Sequence, residues 1–331
     1  MRRVLILGGT AWLGRAIAAA AVADGADVTC LARGDTGGVA HGSRLIRADR
    51  RDVDAYDALT GEWDDVIEIS WHPDFVASGL DALADRAAHW TLISSVSVYA
   101  DADSPFADES AQLVEPVDLA EYADAKVHAE RLTSARIDDR ALLARAGLIV
   151  GPGDPTDRFG YWPARFARGG TVLIPEPSGR YAQGIDVDDL AAWIVAAGRT
   201  GTTGPINAVG EELPLATVLA AAREAAGIPV QTVALDDETL VERGVTHWMG
   251  PRSLPLWLPP SASGFARRSD AAFVASGGTR RPLAATMQRT LDDERVRGLD
   301  RERRAGLTAA EEAAILALPR ADPAPVSTPR R

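Results

Sequence analysis

The chain of 331 residues is long enough for one large or two ordinary domains, and 46% hydrophobic against 25% charged residues is a normal globular balance. Its net charge of −12 argues against a broad surface for nucleic acid or anionic membranes. The longest apolar run, AIAAAAVA at 16–23, is too short to span a bilayer, and no signal peptide is recognised. The single cysteine suits a reducing compartment, so a cytoplasmic protein is predicted, and the sequence has neither CxxC nor a metal-binding histidine spacing, so no metal site is predicted.

Strand and helix patterns alternate through the first 150 residues. Short β-branched and leucine runs closed by glycine or polar residues predict strands, and the stretches between them predict helices. The strands are expected at 3–9, 26–34, 43–52, 64–70, 89–99 and 140–151, and the helices at 13–23, 54–60, 75–88 and 119–136. This β-α alternation predicts an α/β fold with a doubly wound parallel sheet.

The pattern changes after Gly151, where proline, glycine, aromatic and arginine residues occur without clean periodicity. Such composition is typical of loops that line a pocket, and it predicts a smaller substrate-binding region over 151–318. Part of this region, about 183–210, is expected to pack back on the first domain, and the tail at 319–331 is expected to be disordered. Helices are predicted at 186–199 and 213–227, a short strand at 231–237, and a proline-broken cover over the site at 246–260.

The stretch GGTAWLG at 8–14 joins the first strand to the first helix. Backbone N–H groups and the helix dipole at such a junction can hold a pyrophosphate, and glycines permit its close approach. The alternative is a tight strand-to-helix connection without a ligand. The residues predicted to bind a dinucleotide here are Gly8, Gly9, Thr10, Trp12, Leu13 and Gly14.

The end of the second strand bears on which dinucleotide is bound. An acidic residue there would accept a hydrogen bond from the ribose 2′-hydroxyl, but the sequence LARG places Arg33 where a guanidinium would meet a 2′-phosphate. NADP is therefore predicted, although Asp35 nearby leaves NAD open and Arg33 could instead be a solvated arginine stacked on the adenine. Asp49 and Arg50, after the third strand, are expected at the adenine edge.

Lys126 is the only lysine in a chain with 35 basic residues, and it lies four residues after Tyr122. On a helix this spacing puts both side chains on one face, with Cβ atoms roughly 5–6 Å apart. A tyrosine that serves as acid or base near pH 7 must lower its pKa by about three units, roughly 4 kcal/mol. A cation about 4 Å away could lower the pKa by this amount, since its interaction energy with the phenolate is about 4 kcal/mol at an effective dielectric near 20.

Four segments in chain order resemble the extended short-chain dehydrogenase/reductases of the NAD(P)-dependent epimerase/dehydratase family: GGTAWLG, SSVSVY at 94–99, YADAK at 122–126 and QGIDVDDLA at 183–191. The resemblance covers about residues 1–290 and implies a Rossmann-type domain over 1–150. It also implies a catalytic set in which Ser95 holds the substrate oxygen, Tyr122 transfers the proton, and Lys126 binds the ribose and lowers the tyrosine pKa. Ser94 or Ser97 could fill the serine role instead.

The same resemblance implies hydride transfer to or from a carbonyl or carbinol carbon of a small or sugar-like molecule, by reduction or by epimerisation. Dehydration is less favoured, because Val96 and Ser97 stand where an acidic residue is usual. Ala11 replaces the middle glycine of the family pattern, as in an atypical subgroup with RNA-associated members. The alternative function is thus a non-catalytic NAD(P)-binding regulator or RNA-associated protein.

Several residues in the predicted loops are candidates for substrate contact. They follow a strand or lie on the expected cofactor side of the sheet. They are Trp71, His72, Arg158, Tyr161, Trp162, Arg165 and Gln183. The alternative is that Tyr161 and Trp162 belong to the core of the small domain and Arg158 to a surface ion pair. The expected partner is a small molecule, with no nucleic acid or membrane, and a homodimer through the helix at 119–136 is possible.

Overall fold

The computed structural model describes residues 1–318, so the tail predicted to be disordered lies outside the described residues. Its strands are β1 (Arg3–Leu7), β2 (Asp27–Ala32), β3 (Arg44–Arg47), β4 (Asp65–Glu68), β5 (Trp90–Ser95), β6 (Ala141–Ala146), β7 (Leu148–Val150), β8 (Thr171–Pro175), β9 (Tyr181–Asp186), β10 (Gly204–Ala208), β11 (Glu212–Pro214), β12 (Gln231–Leu235), β13 (Thr246–Trp248) and β14 (Ser253–Pro255). Its α-helices are α1 (Trp12–Ala23), α2 (Pro73–Leu83), α3 (Tyr122–Ile137), α4 (Arg158–Ala167), α5 (Val187–Thr200), α6 (Leu215–Ala226), α7 (Asp237–Glu242), α8 (Ala271–Ala275), α9 (Leu283–Arg297) and α10 (Ala309–Ala317). No helix within 1–318 is long and apolar enough to cross a membrane.

Seven parallel strands form the main sheet, in the order β10-β6-β5-β4-β1-β2-β3. The chain starts in the middle at β1, runs outward to β3, returns to β4 and then runs outward on the other side. Between β1 and β4 the direction of winding reverses, and ligands bind in the crevice at the carboxyl ends of the strands beside such a point. The predicted doubly wound sheet is confirmed.

Both faces of this sheet are covered by helices, because β1 is apolar on both sides. Val4 and Ile6 pack on one face with residues of α1 and α5, while Leu5 and Leu7 belong to a second core that includes residues of α2 and α3. Successive side chains of a strand point to opposite faces, so an uninterrupted apolar strand needs cover on both. The two helical layers leave the carboxyl ends of the strands free to form a site.

The remaining elements build a smaller region with its own core. Its sheets are β11-β9-β7, β12-β8 and β13-β14, and its largest buried side chains include Trp162 and Trp257. The single strand predicted at 140–151 is wrong, since Gly147 divides it into β6 in the main sheet and β7 in the smaller region. The helix predicted at 54–60 is also wrong, because the aspartate-rich stretch forms successive turns closed by i→i+3 hydrogen bonds.

Candidate active site

The turn between β1 and α1 has the close backbone packing that a dinucleotide-binding loop requires. Gly8 has a φ of +112°, which favours glycine. A Cβ on Gly14 would lie 2.3 Å from the Gly8 carbonyl oxygen, and one on Gly9 would lie 2.3 Å from the Cys30 sulfur. These glycines let the helix begin directly at the loop, whose residues Gly8, Thr10 and Ala11 line the crevice, and the first N–H groups of a helix have no partner within it. The loop therefore fits a pyrophosphate.

The predicted dinucleotide residues divide into those that line the crevice and those that support it. Gly8, Thr10 and Ala11 line the crevice, and the Thr10 hydroxyl lies 2.9 Å from that of Thr36 across it. Leu13, in the first turn of α1, is buried in the core between this helix and the sheet. The Trp12 indole instead donates to the Pro152 carbonyl at 2.8 Å, which ties the loop to the smaller region.

Two arginine–aspartate pairs lie at the open end of the crevice, beyond β2 and β3. Arg33 pairs with Asp35 at 3.2 Å, and Arg51 pairs with Asp49; the four residues line the same cleft. Arg51 holds the pKa of Asp49 well below its usual range. Sequence reasoning missed Arg51, although it follows Asp49 and Arg50 directly.

Arg50 does not present its guanidinium to the adenine edge as predicted. It turns inward to the buried carboxylate of Glu68 at the end of β4, and its Nε donates to the Tyr56 hydroxyl at 2.8 Å. The pairing with Glu68 and Tyr56 raises the pKa of Arg50 against the opposing effect of burial. Glu68 also accepts from the Ser70 backbone N–H at 2.8 Å. The pair therefore fastens the loops after β3 and β4 to each other.

Ser95 is the serine that faces Tyr122. Tyr122 begins α3 at the rim of the crevice and is 44% exposed, while Ser95 ends β5 and is 8% exposed. The hydroxyl of Ser95 interacts with the Tyr122 phenol and accepts from the Ser97 backbone N–H at 3.1 Å. The Ser94 hydroxyl points away and donates to buried Glu130 at 2.5 Å.

Lys126 lies beneath Tyr122 and is almost fully buried. Its Nζ donates to the carbonyl oxygens of Ser70, at 3.3 Å, and Ile93. Two of the three ammonium hydrogens are thus directed to backbone, and one is left for a ligand in the crevice that Ser70 lines. Burial lowers the pKa of Lys126 to about 8, and the nearby carboxylates of Glu68 and Glu130 act in the opposite direction.

The pKa of Tyr122 departs from its usual value in the direction opposite to the prediction. Burial raises it, while Ser95 and the guanidinium of Arg158 lower it. The Lys126 Nζ lies 5.9 Å from the centre of the tyrosine ring, since the two backbone carbonyls hold it below the phenol. The cation that acts on the Tyr122 pKa is therefore Arg158, which α4 brings to the site.

A sequence model of the NAD dependent epimerase/dehydratase family matches residues 4–210, which is more than half of the chain and includes both the dinucleotide loop and the Tyr122–Lys126 helix. The chain belongs to this family. Comparison with curated proteins gives no match. Membership makes the nicotinamide dinucleotide the expected occupant of the crevice, in agreement with the glycine packing at 8–14.

Solved structures of epimerases share the fold over most of the chain. A Burkholderia cenocepacia protein with a provisional epimerase assignment is 20% identical, with a TM-score of 0.68 over 89% of this chain and 98% of its own. The UDP-glucuronic acid 4-epimerase of Bacillus cereus, solved with NAD, is 15% identical, with a TM-score of 0.65 over 89% and 100%. The UDP-glucose 4-epimerase of Thermus thermophilus, also solved with NAD, is 19% identical, with a TM-score of 0.64 over 88% and 99%.

Two of the predicted substrate residues line the crevice, and a third, Arg158, lies close enough to Tyr122 to act on its pKa. Trp71 and His72 line the cleft after β4, and the Trp71 ring meets the Tyr122 ring edge-on with 5.8 Å between centres. His72 stacks on Phe75 at 4.7 Å. Arg158 begins α4 beside Tyr122.

Four other predicted substrate residues are not brought to the crevice. Tyr161 and Trp162 are buried in the core of the smaller region, and the Trp162 indole donates to the Pro255 carbonyl at 2.8 Å. Arg165 forms a buried ion pair with Glu312. The amide nitrogen of Gln183 donates to the carbonyls of Gly210 and Arg268, and its oxygen accepts from the Arg268 backbone N–H. Sequence reasoning assigned these residues to loops because it missed α4 and β9.

Burial of Lys126 predicts a specific dependence of stability on pH. The Lys126 pKa is about 8 in the folded protein and near 10.5 in the unfolded chain, so between these values the unfolded chain binds more protons. The free energy of unfolding contributed by this group should therefore rise with pH across that window, by about 3 kcal/mol in total. Urea unfolding at pH 8 and pH 10 measures the rise, and Lys126→Met should lack it. An equal rise in both proteins would contradict the assignment.

Proposed function

We propose that this protein reduces a carbonyl group of a small molecule, with NADP as the cofactor and with Ser95, Tyr122 and Lys126 as the catalytic set. The observation that carries the proposal is the arrangement at the end of the sheet. The hydroxyls of Ser95 and Tyr122 face each other beside the dinucleotide crevice, and a buried ammonium with one free hydrogen lies below them.

At neutral pH the Tyr122 phenol carries the proton that a carbonyl oxygen must receive in reduction, since burial raises a tyrosine pKa that is ordinarily near 10. When bound, the nicotinamide ring supplies the hydride to the carbonyl carbon. Ser95 would hold the carbonyl oxygen, and Tyr122 would donate its proton to that oxygen as the carbon is reduced. Because Tyr122 lies at the rim and is 44% exposed, solvent can return the proton to the phenolate. Lys126 would hold the ribose with its free N–H.

The choice of NADP is supported by the two cations at the open end of the crevice. Arg33→Asp should shift the ratio of NADP to NAD affinity toward NAD by about tenfold or more, since a charge-assisted hydrogen bond to the 2′-phosphate is lost and a repulsive charge is added. Titration of tryptophan fluorescence with NADPH and NADH measures this ratio. Arg131→Asp is the control, because Arg131 lies on the surface of α3 and pairs with Glu115. An unaltered ratio in Arg33→Asp would mean that Arg33 does not determine the preference between NADP and NAD.

The enzyme proposal is tested by nucleotide binding followed by a screen of carbonyl compounds for NADPH oxidation, in the wild type and in Tyr122→Phe. Turnover by the wild type that the variant loses supports the proposal. Tight nucleotide binding without turnover of any carbonyl compound would favour the alternative, a non-catalytic nucleotide-binding regulator or RNA-associated protein. The homodimer through α3, the absence of nucleic acid and the cytoplasmic location stay predictions from the sequence.

A further inference from the structure

Arg158 has a fixed position and free hydrogen-bond donors. Its Nε lies 3.2 Å from the Thr156 hydroxyl, which in turn donates to the buried carboxylate of Asp154 at 3.0 Å. These two consecutive hydrogen bonds at the start of α4 fix the Nε edge of the guanidinium. Over the described residues 1–318, no carboxylate lies within ion-pair distance of Arg158, and no acceptor is found for Nη1 or Nη2.

Within residues 1–318, Arg158 is one of several partly or fully buried arginines with no carboxylate within ion-pair distance, Arg268 being another, and it differs in this from the most closely paired ones. Arg145 and Arg165 each form a close ion pair with a glutamate. For Arg158, burial lowers the pKa and the charge of Asp154 acts in the opposite direction, but neither Nη1 nor Nη2 has a hydrogen-bond acceptor within the described residues. A partly desolvated guanidinium with two unused nitrogens is suited to a ligand that supplies a negative charge.

Arg158 is directed toward the reacting group by its surroundings. It lowers the pKa of Tyr122, and its guanidinium stacks on the Trp248 ring at 5.0 Å from the ring centre. Trp248 has a φ of +69°, a strained conformation for a large side chain, and it also packs edge-on against Phe265. The strained backbone at Trp248 therefore presents an aromatic face to the guanidinium.

We propose that Arg158 binds a carboxylate of the substrate, within a few bonds of the carbonyl carbon that Tyr122 serves. With Nε engaged by Thr156, the free edge of the fork is the pair Nη1 and Nη2, which matches the two oxygens of a planar carboxylate. One unpaired positive charge balances one carboxylate. The position of this group relative to the reacting carbon rests on the proposed function, whereas its binding does not.

Binding is tested first, with oxidised cofactor so that no reduction can occur. Protein saturated with NADP+ is titrated with 2-oxobutanoate, 3-oxobutanoate and 4-oxopentanoate, and with the corresponding neutral amides, by tryptophan fluorescence. At least one acid should bind about tenfold or more tightly than its amide, and Arg158→Gln should abolish that preference. Arg131→Gln, the same change at an exposed pair, should keep it. No saturation by any acid up to about 10 mM, or an unchanged preference in Arg158→Gln, overturns the proposal.

Turnover of the same compounds with NADPH separates this inference from the proposed function. The three acids place the carboxylate one, two or three bonds from the carbonyl carbon, and the best substrate reports the spacing. Arg158→Gln should raise KM for that acid by about tenfold or more, and it should lower kcat/KM for the acid by at least about tenfold more than for its amide, because only the acid carries a charge that the guanidinium would pair with. Arg158→Lys keeps the charge but loses the two paired N–H donors, so its KM for the acid should lie between that of the wild type and that of Arg158→Gln. Acids that bind through Arg158 without being reduced would support the carboxylate site and contradict the proposed reductase activity. Reduction of acids and amides at the same rate would support the reductase activity and contradict the carboxylate site.

Discussion

Tyr122→Phe is expected to lower kcat for carbonyl reduction by about 10³-fold, since a positioned general acid contributes roughly 10² to 10⁴ and no other side chain can replace it here. Ser95 faces the phenol, but an unperturbed serine hydroxyl is a far weaker acid. The Lys126 ammonium is directed to the carbonyls of Ser70 and Ile93. The measurement is NADPH oxidation with the best carbonyl substrate from the screen.

The loss must occur without loss of the cofactor for the assignment to hold. Tyr122 is 44% exposed, and within residues 1–318 no hydrogen bond joins its hydroxyl to the loop at 8–14, so NADPH affinity should stay within about threefold of the wild type. The variant keeps the ring that meets Trp71 edge-on, so the fold should not change. Undiminished turnover in Tyr122→Phe would refute the assigned mechanism. Loss of nucleotide binding in this variant would mean that Tyr122 binds the cofactor.

The features that the sequence predicted well depend on local spacing. The alternation of apolar runs and helical stretches predicted the parallel sheet, since an apolar β1 needs helices on both sides. The lone lysine four residues after a tyrosine predicted one helix face that carries both, and α3 places Lys126 directly below Tyr122.

The features that the sequence did not predict depend on contacts between distant segments. Arg50 binds Glu68, 18 residues away, and nothing local distinguishes it from its neighbour Arg51. The stacking of Arg158 on Trp248 joins residues 90 positions apart. A helical signal was present in α4, where Phe159, Trp162 and Phe166 recur at i, i+3 and i+7, but Gly160 and Pro163 gave the stretch the composition of a loop.

The direction of the Tyr122 pKa shows why spacing alone was insufficient for the electrostatics. The spacing between Tyr122 and Lys126 fixes a shared helix face, yet the position of Nζ is decided by the backbone carbonyls of β5 and of the loop after β4. Those carbonyls attract the ammonium away from the phenol. Its two hydrogen bonds are then with backbone carbonyls, one of them that of Ser70, which lines the crevice. This position supports the proposed cofactor-binding role of Lys126 more than a role in lowering the tyrosine pKa.

Lys126→Met should therefore weaken NADPH binding by about 100-fold, because a desolvated, charge-assisted hydrogen bond to the ribose is lost together with the charge itself. Methionine has a similar length and no charge. The measurement is fluorescence titration with NADPH, with urea unfolding at pH 7 to verify that the variant folds. Wild-type affinity in a folded Lys126→Met protein would exclude Lys126 from the cofactor site.

The matched variant Lys126→Arg tests whether the compact ammonium itself is required. A planar guanidinium keeps the charge, but it cannot donate to the Ser70 and Ile93 carbonyls and to the ribose from one point, as Nζ can. Affinity for NADPH should thus fall in Lys126→Arg to nearly the same extent as in Lys126→Met. Recovery of binding by arginine would mean that charge alone is needed, and the persistence of one lysine among 35 basic residues would then have no explanation in the cofactor site. If both variants lose the nucleotide, the reason for that lysine is the geometry of three donors on one atom.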